Sequence, residues 1–316
     1  MATGLDAAQG LSPLETGNSP PGRPTRAARL RLSGLFWRHR WAKALLLLAP
    51  PLLAFLLVYV ASLVALFISS FWTIDPFTSQ LRHVWNVDNY RTLWQAGAYH
   101  SVALRTIGIA AAVTAADALL AFPLGYFMAR IAGGRSRAFI FVAVLLPLWS
   151  SYLVRVYIWR LILDDKGVLN WTLQKLGLPA LHIGYSNWAV WLIFTYVWLP
   201  FMVLPVYGAL ERIPESFVEA SRDLGAGMWT TFRRIVLPLA LPGVVAGSIF
   251  TFSLTLGDYV TPLLAGGASS QFIGNVVYDS ITTQQTPFAA AFAAVPLAVM
   301  GVYLLIARKL GAFEAL

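Results

Sequence analysis

The residues best suited to pass on a chemical event lie in EASRDLGAGMWTTFRRIVLP, Glu219 to Pro238, a charged island between two long apolar runs. Glu219, Arg222 and Asp223 offer charge-assisted hydrogen bonds to a partner, and Ala220 and Ser221 are small enough to let another protein's backbone approach closely. Gly225 costs roughly 1 kcal/mol inside a helix, which favours a break there and a second short helix over 227–236. Two short helices meeting at a glycine make a protruding knob. A run this polar has to leave the lipid.

Ionisable residues inside apolar runs form the second group, because a charge at the bilayer centre costs roughly 3 kcal/mol and persists only with a compensating role. Asp117 lies midway along one run, where it either faces a path and attracts a cation or hydrogen-bonds a neighbouring helix as a neutral acid. Asp258, in LTLGDYVTPLLAGG, sits where Gly257 and Pro262 disturb the helix and Tyr259 supplies an aromatic face; its alternative is a helix-end carboxylate in water. Trp149, Tyr152, Tyr157 and Trp159 fit an interfacial belt, with Trp149 and Tyr157 as candidates for lining a path. Arg155 and Arg160 could bind an anionic substrate, but both stand close enough to the outer interface to snorkel, which is the commoner outcome. With Asp279 and no Lys or Arg from 257 to 286, the outer vestibule reads as negative and suited to a cationic solute.

Enzymatic chemistry is missing from the pattern. No lysine follows a glycine, so there is no G-x-x-x-x-G-K-[ST] phosphate loop, and any ATP and Mg belong to other subunits. His39, His83, His100 and His182 lack paired helical spacing, which argues against a metal site, and zero cysteines exclude disulfides, thiolate sites and a cysteine nucleophile. The chain reads as non-catalytic, with no cofactor of its own.

These residues need a membrane scaffold. The chain is 58% hydrophobic and 12% charged over 316 residues, with a mean hydropathy of +0.67, far from the soluble range of about 25% charged. Six runs are long enough to span a bilayer: 43–71, 102–130, 138–162, 187–210, 236–258 and 287–307. Sixteen Lys and Arg fall on the side of the termini and the Glu219 loop against four on the other, which puts both termini in the cytoplasm. The net charge of +9 then follows from topology and lipid headgroups, without nucleic acid. The expectation is an all-α polytopic protein. It has a disordered basic tail over 1–40, a six-helix domain over 41–310 carrying the loop 211–235, and a short tail over 311–316. Surface helices are expected near 87–96 and in VLNWTLQKLGL, and bends around a cavity at Pro200, Pro205, Pro238 and Pro242. The first apolar run is too long for a cleavable signal peptide.

The loop resembles the EAA coupling motif of ABC importer permeases, which ends in the same I-x-L-P; Ser221 stands where that family usually has a second Ala. LPLWSSYLVRVYIW, GVLN, PFMVLPVYGAL, VEASRDLGA and LGDYVTPLLAGG are similar to the first permease of spermidine/putrescine-type importers, over roughly residues 40 to 310. The resemblance implies a type I importer fold with a second, homologous permease, two cytoplasmic ATPases, and a periplasmic or lipid-anchored binding protein. On it, Glu219, Ala220, Ser221, Asp223 and Gly225 couple to the ATPase, and Asp258 and Tyr259 lie near an outer gate. The competing readings are a self-sufficient secondary transporter or channel, an importer of the same subfamily for another small solute, and a membrane scaffold.

Overall fold

The computed structural model describes residues 40–309 except Pro76 and Ser269, with side chains from Leu47 onward. The rest of the expected N-terminal tail and the segment 311–316 lie outside the described residues. Up to Ser62 the chain is helix α1 (Arg40–Phe55), carrying Pro50 and Pro51, followed by a π turn at Leu56–Val60. Helix α2 (Ala61–Ser69) continues it.

From Leu63 the second unit begins. A short hairpin, β1 (Thr73–Ile74) and β2 (Leu81–Arg82), pairs antiparallel with Thr73 opposite Arg82. Its turn is held by Asp75, whose Oδ1 accepts the backbone N–H of Phe77 at 2.8 Å and of Thr78 at 3.2 Å, while Oδ2 meets Arg82 at 2.5 Å. Those two backbone donors, with Arg82 adding to them, hold the Asp75 carboxyl below its ordinary range. Helix α3 (Asp88–Gln95) is the expected surface helix, tied back by Asn89 Nδ2 to the carbonyls of Ser70 and Trp72 at 2.8 and 2.9 Å.

The core is built from three long helices, α4 (Gly97–Arg130), α8 (Asn187–Arg212) and α11 (Leu237–Gly257). Val113 packs with Val190 and Phe194, whereas a Cβ on Gly125 would lie 3.2 Å from Val206, so α4 and α8 run parallel. The α11 helix runs against them. A Cβ on Gly243 would fall 2.6 Å from the Pro205 carbonyl oxygen, and one on Gly247 would fall 2.7 Å from Met202 Sδ. The spacing G-x-x-x-G therefore gives α11 a smooth strip on which α8 lies backbone to backbone. Both helices run unbroken through Pro200, Pro205 and Pro242. The expected cavity is a groove of about 590 Å³ between them, with Pro205, Pro242, Arg212 and Ile213 in its lining.

The third expected span is the main departure. Helix α5 (Gly134–Leu145) tightens into a 3-10 turn at Leu146–Trp149, the chain breaks at Ser150 and Ser151, and α6 (Tyr152–Leu163) opens a segment, Tyr152–Lys175, bent by 97° from the first. Pro147 lies within the 3-10 turn, and Ser150 turns its hydroxyl onto the Pro147 carbonyl at 2.7 Å. A local side-chain bond thus replaces the helical ladder where 138–162 was expected to continue. Among the described residues five helices are of membrane length, or six when this bent pair counts as one. The expected amphipathic helix is α7 (Val168–Lys175).

The remaining elements close the bundle. They are α9 (Glu215–Asp223), α10 (Met228–Thr231), α12 (Val260–Ala265), α13 (Ile273–Thr282) and α14 (Thr286–Lys309). Helix α13 is fastened from both sides. Ile273 N–H donates to Thr106 Oγ1 at 3.0 Å, and Asn275 Nδ2 donates to the Tyr259 carbonyl at 2.9 Å.

Candidate functional site

The charged island forms a helical knob at one end of the bundle. Helix α9 stops because Gly225 takes a left-handed φ of +77°, with its N–H on the Arg222 carbonyl at 2.8 Å and Ala226 N–H on the Ser221 carbonyl at 3.0 Å. This pair of reversed bonds is a Schellman end, and glycine suits it because it carries no Cβ penalty there. The next helix is not the separate short one expected over 227–236. Helix α10 passes through a π turn at Phe232–Val236 straight into α11, so Met228–Gly257 is one helix of 30 residues.

Within the knob Glu219, Ala220, Asp223 and Gly225 are exposed. Ser221 is not: it is 7% exposed, and its hydroxyl lies 2.8 Å from that of Thr231. The small face expected of Ala220 and Ser221 is therefore halved, because Ser221 braces α9 to α10. Large apolar side chains stand out instead, with Leu224 88%, Met228 85% and Trp229 70% exposed. Arg130 anchors the approach to the knob, donating through Nη2 to the carbonyls of Leu210 at 3.0 Å and Ile213 at 2.5 Å, the last turn of α8.

The other group lies where α11 ends. Asp258 accepts the backbone N–H of Thr261 on Oδ1 at 2.9 Å, starting α12, and accepts the hydroxyl of Tyr152 on Oδ2. With its proton given to Asp258, Tyr152 accepts from Thr261 Oγ1 at 2.6 Å. The break in the third span and the break after the fifth are thereby joined through one tyrosine. Tyr152 also stacks on Trp198 of α8 at 5.7 Å, and Tyr259 stacks on Tyr278 at 4.8 Å.

The other sequence candidates do not join this group. Asp117 is fully buried in α4, and neither carboxyl oxygen has a hydrogen-bond partner. One turn away, Thr114 Oγ1 accepts Thr251 of α11 at 3.4 Å. Trp149 is 91% exposed, and the exposed Tyr157 ring sits 6.0 Å from the Arg160 guanidinium. Arg160 does lie at the surface, held by the Tyr185 hydroxyl at 2.6 Å from Nη2. Arg155 does not snorkel as expected: it is 9% exposed and turned into the protein. Sequence reading missed Tyr152, Trp198 and Thr261 as partners of Asp258; the Pro147–Ser150–Ser151 cluster was the signal that Tyr152 opens a new helix. Among the described residues no cluster of His, Asp and Glu could hold a metal.

Residues 121–311 match the family described as binding-protein-dependent transport system inner membrane component. The chain belongs to that family. It is a non-catalytic, multi-pass inner-membrane permease subunit of an ABC importer of the type I class. Over 307 residues it is 45% identical to the inner membrane ABC transporter permease protein YdcU of Escherichia coli, covering 93% of this chain and 97% of that one. Over 241 residues it is 34% identical to the spermidine/putrescine transport system permease protein PotB of Escherichia coli, covering 75% and 86%. A bacterial alginate ABC transporter solved with its alginate pentasaccharide-bound periplasmic protein shares the fold, with a TM-score of 0.64 over 90% of this permease and 98% of that chain at 18% identity.

Proposed function

We propose that this permease forms one half of the translocation path for a small solute bearing a protonated amine, of the polyamine class, and that the α9–α10 knob couples it to a cytoplasmic ATPase. The observation that carries the coupling reading is the knob itself: a glycine-terminated helix, its end and the start of the next helix exposing Leu224, Met228 and Trp229, with Glu219, Arg222 and Asp223 exposed beside them. Exposed apolar side chains with a charged rim are the composition of a protein interface. The excess of Lys and Arg at this end supports a cytoplasmic position for it. The partners are two ATPase subunits that bring ATP and Mg, a second homologous permease, and a binding protein on the outer side.

The amine reading is supported by likeness to PotB and by Asp258, half-buried among Tyr152, Tyr259 and Tyr278 at the other end of α11. A carboxylate retains acceptor capacity beyond two bonds, and aromatic faces attract ammonium groups by about 0.5 to 2 kcal/mol. Reconstitution tests the whole. In liposomes this chain alone is inert, and with its second permease, ATPases and binding protein it takes up labelled 1,4-diaminobutane only when ATP is supplied. Uptake by the chain alone without ATP refutes the reading in favour of a secondary transporter.

A further inference from the structure

Two buried hydrogen-bond donors lie against the Tyr152 ring, and a third one turn away on α8, with nothing to donate to. Arg155, one turn further along α6, has its guanidinium carbon 6.0 Å from the ring centre, and its Nε and Nη1 are buried without a hydrogen-bond partner. Trp198 stacks on the same ring, and its indole N–H is buried and unpaired. Thr195, one turn before Trp198 on α8, is 8% exposed, and its hydroxyl has no partner. Threonines in apolar helices ordinarily turn the hydroxyl onto the carbonyl four residues back. Thr106, Thr114 and Thr255 do this at 2.7 to 2.8 Å; Thr195 does not.

The acceptors at the Tyr152 hydroxyl already carry bonds to other donors. Asp258 takes the Tyr152 hydroxyl and the Thr261 N–H, and Tyr152 takes the Thr261 hydroxyl. Unpaired polar groups in a native interior call for an explanation, and a buried guanidinium without a counter-charge most of all.

We propose that Arg155, with Trp198 and Thr195, forms a carboxylate-binding subsite, so that the transported solute is an ω-amino carboxylate: its ammonium goes to Asp258 and the aromatic faces, its carboxylate to Arg155. The inference rests on the reading of this end of α11 as part of the path for a protonated amine, and it narrows that amine from a polyamine to an ω-amino carboxylate. The charge balance selects the class. A solute with one ammonium and one carboxylate neutralises both Asp258 and Arg155. A diamine leaves Arg155 unpaired and brings a second positive charge toward it, and a dianion is repelled by Asp258. The unpaired Arg155 and Trp198 donors against one aromatic ring, with Thr195 one turn away on α8, suit a carboxylate better than a second ammonium.

The test compares two solutes with the same four-carbon backbone, 4-aminobutyrate and 1,4-diaminobutane. ATP-dependent uptake of each is measured in liposomes carrying the complete transporter, as wild type, Arg155→Met and Arg155→Lys, with assembly checked by size exclusion. The wild type is expected to favour 4-aminobutyrate. In Arg155→Met its uptake falls at least tenfold while diamine uptake is unchanged or raised, and Arg155→Lys restores part of the preference. Equal loss of both solutes in Arg155→Met, or a wild type that prefers the diamine tenfold, overturns the subsite and leaves the amine reading standing. ATP-dependent uptake of neither solute overturns both.

Discussion

Replacing Gly225 separates the geometry of the coupling knob from its surface chemistry. The residue holds φ at +77° and gives its N–H to Arg222 at 2.8 Å. An alanine pays roughly 1–2 kcal/mol for left-handed geometry, which lowers the population of this loop conformation about five- to thirtyfold. A proline cannot form it: its φ is fixed near −65°, and the N–H that closes the Schellman end is gone, forfeiting about 1 kcal/mol more. The open space around a Cβ at this position means the alanine variant does not act through a side-chain clash. Glu219→Lys leaves the fold alone, because Glu219 is exposed, and removes a charge-assisted contact worth roughly 1.5 to 3 kcal/mol with a partner. The assay is ATPase retention during purification of the complex, followed by basal turnover and turnover stimulated by loaded binding protein. Gly225→Ala should lower stimulated turnover several-fold, and Gly225→Pro and Glu219→Lys should abolish stimulation or lose the ATPase. Wild-type retention and stimulation in both Gly225→Pro and Glu219→Lys would refute the coupling assignment.

Other outcomes follow from the same contacts. Asp258→Asn should cut ATP-driven uptake about tenfold with assembly intact, since a charge-assisted bond is worth roughly 1.5 to 3 kcal/mol; unchanged uptake removes Asp258 from the path. Gly247→Val forces a Cβ to 2.7 Å from Met202 Sδ and 3.1 Å from Met202 Cα, an overpacking of roughly 1–3 kcal/mol that thermal unfolding in detergent will read as a lower midpoint. The β1–β2 turn should loosen in acid. The Asp75 carboxyl is held below its ordinary range, so its stabilising contribution is full above that range and fades as pH falls through the lowered value. Amide exchange at Phe77 and Thr78 should accelerate there relative to neighbouring amides in the wild type and show no such step in Asp75→Asn.

The apolar runs and their order were legible because bilayer thickness sets their length, and the knob because Gly225 and its flanking charges carry a local mechanism. The break at 150–151 was harder to read, because Pro147 alone is compatible with a continuous span, and it takes the Ser150 hydroxyl and N–H on the Pro147 carbonyl to turn the chain there. The fusion of α10 with α11 was hidden for the opposite reason: Phe232–Val236 winds as a π turn, so no breaker marks a joint that does not exist. Side-chain direction was the least legible quantity. Arg155 and Arg160 have the same chemistry on one helix, yet one is turned inward and the other lies at the surface against Tyr185. Ser221, read as part of a docking face, is spent on Thr231, a partner ten residues away that no helical period singles out.

The uninterrupted run from Met228 to Gly257 makes the two attachments of the knob mechanically unequal. On one side α9 reaches the bundle through the turn at Ile213 and Pro214, where the helical ladder is interrupted and Arg130 holds the Ile213 carbonyl. On the other, thirty residues of helix, about 45 Å long, act as a stiff rod whose far tip is Asp258. The knob thus has a jointed attachment on one side and a continuous helical one on the other. Because Asp258 grips Tyr152, the rod's tip is also the bearing on which the bent third span rests. A tilt of a few degrees about the middle of such a rod moves its tip by an ångström or more, comparable to the slack in a hydrogen bond. The grip on Tyr152 is therefore where leverage applied at one membrane face would first be felt at the other.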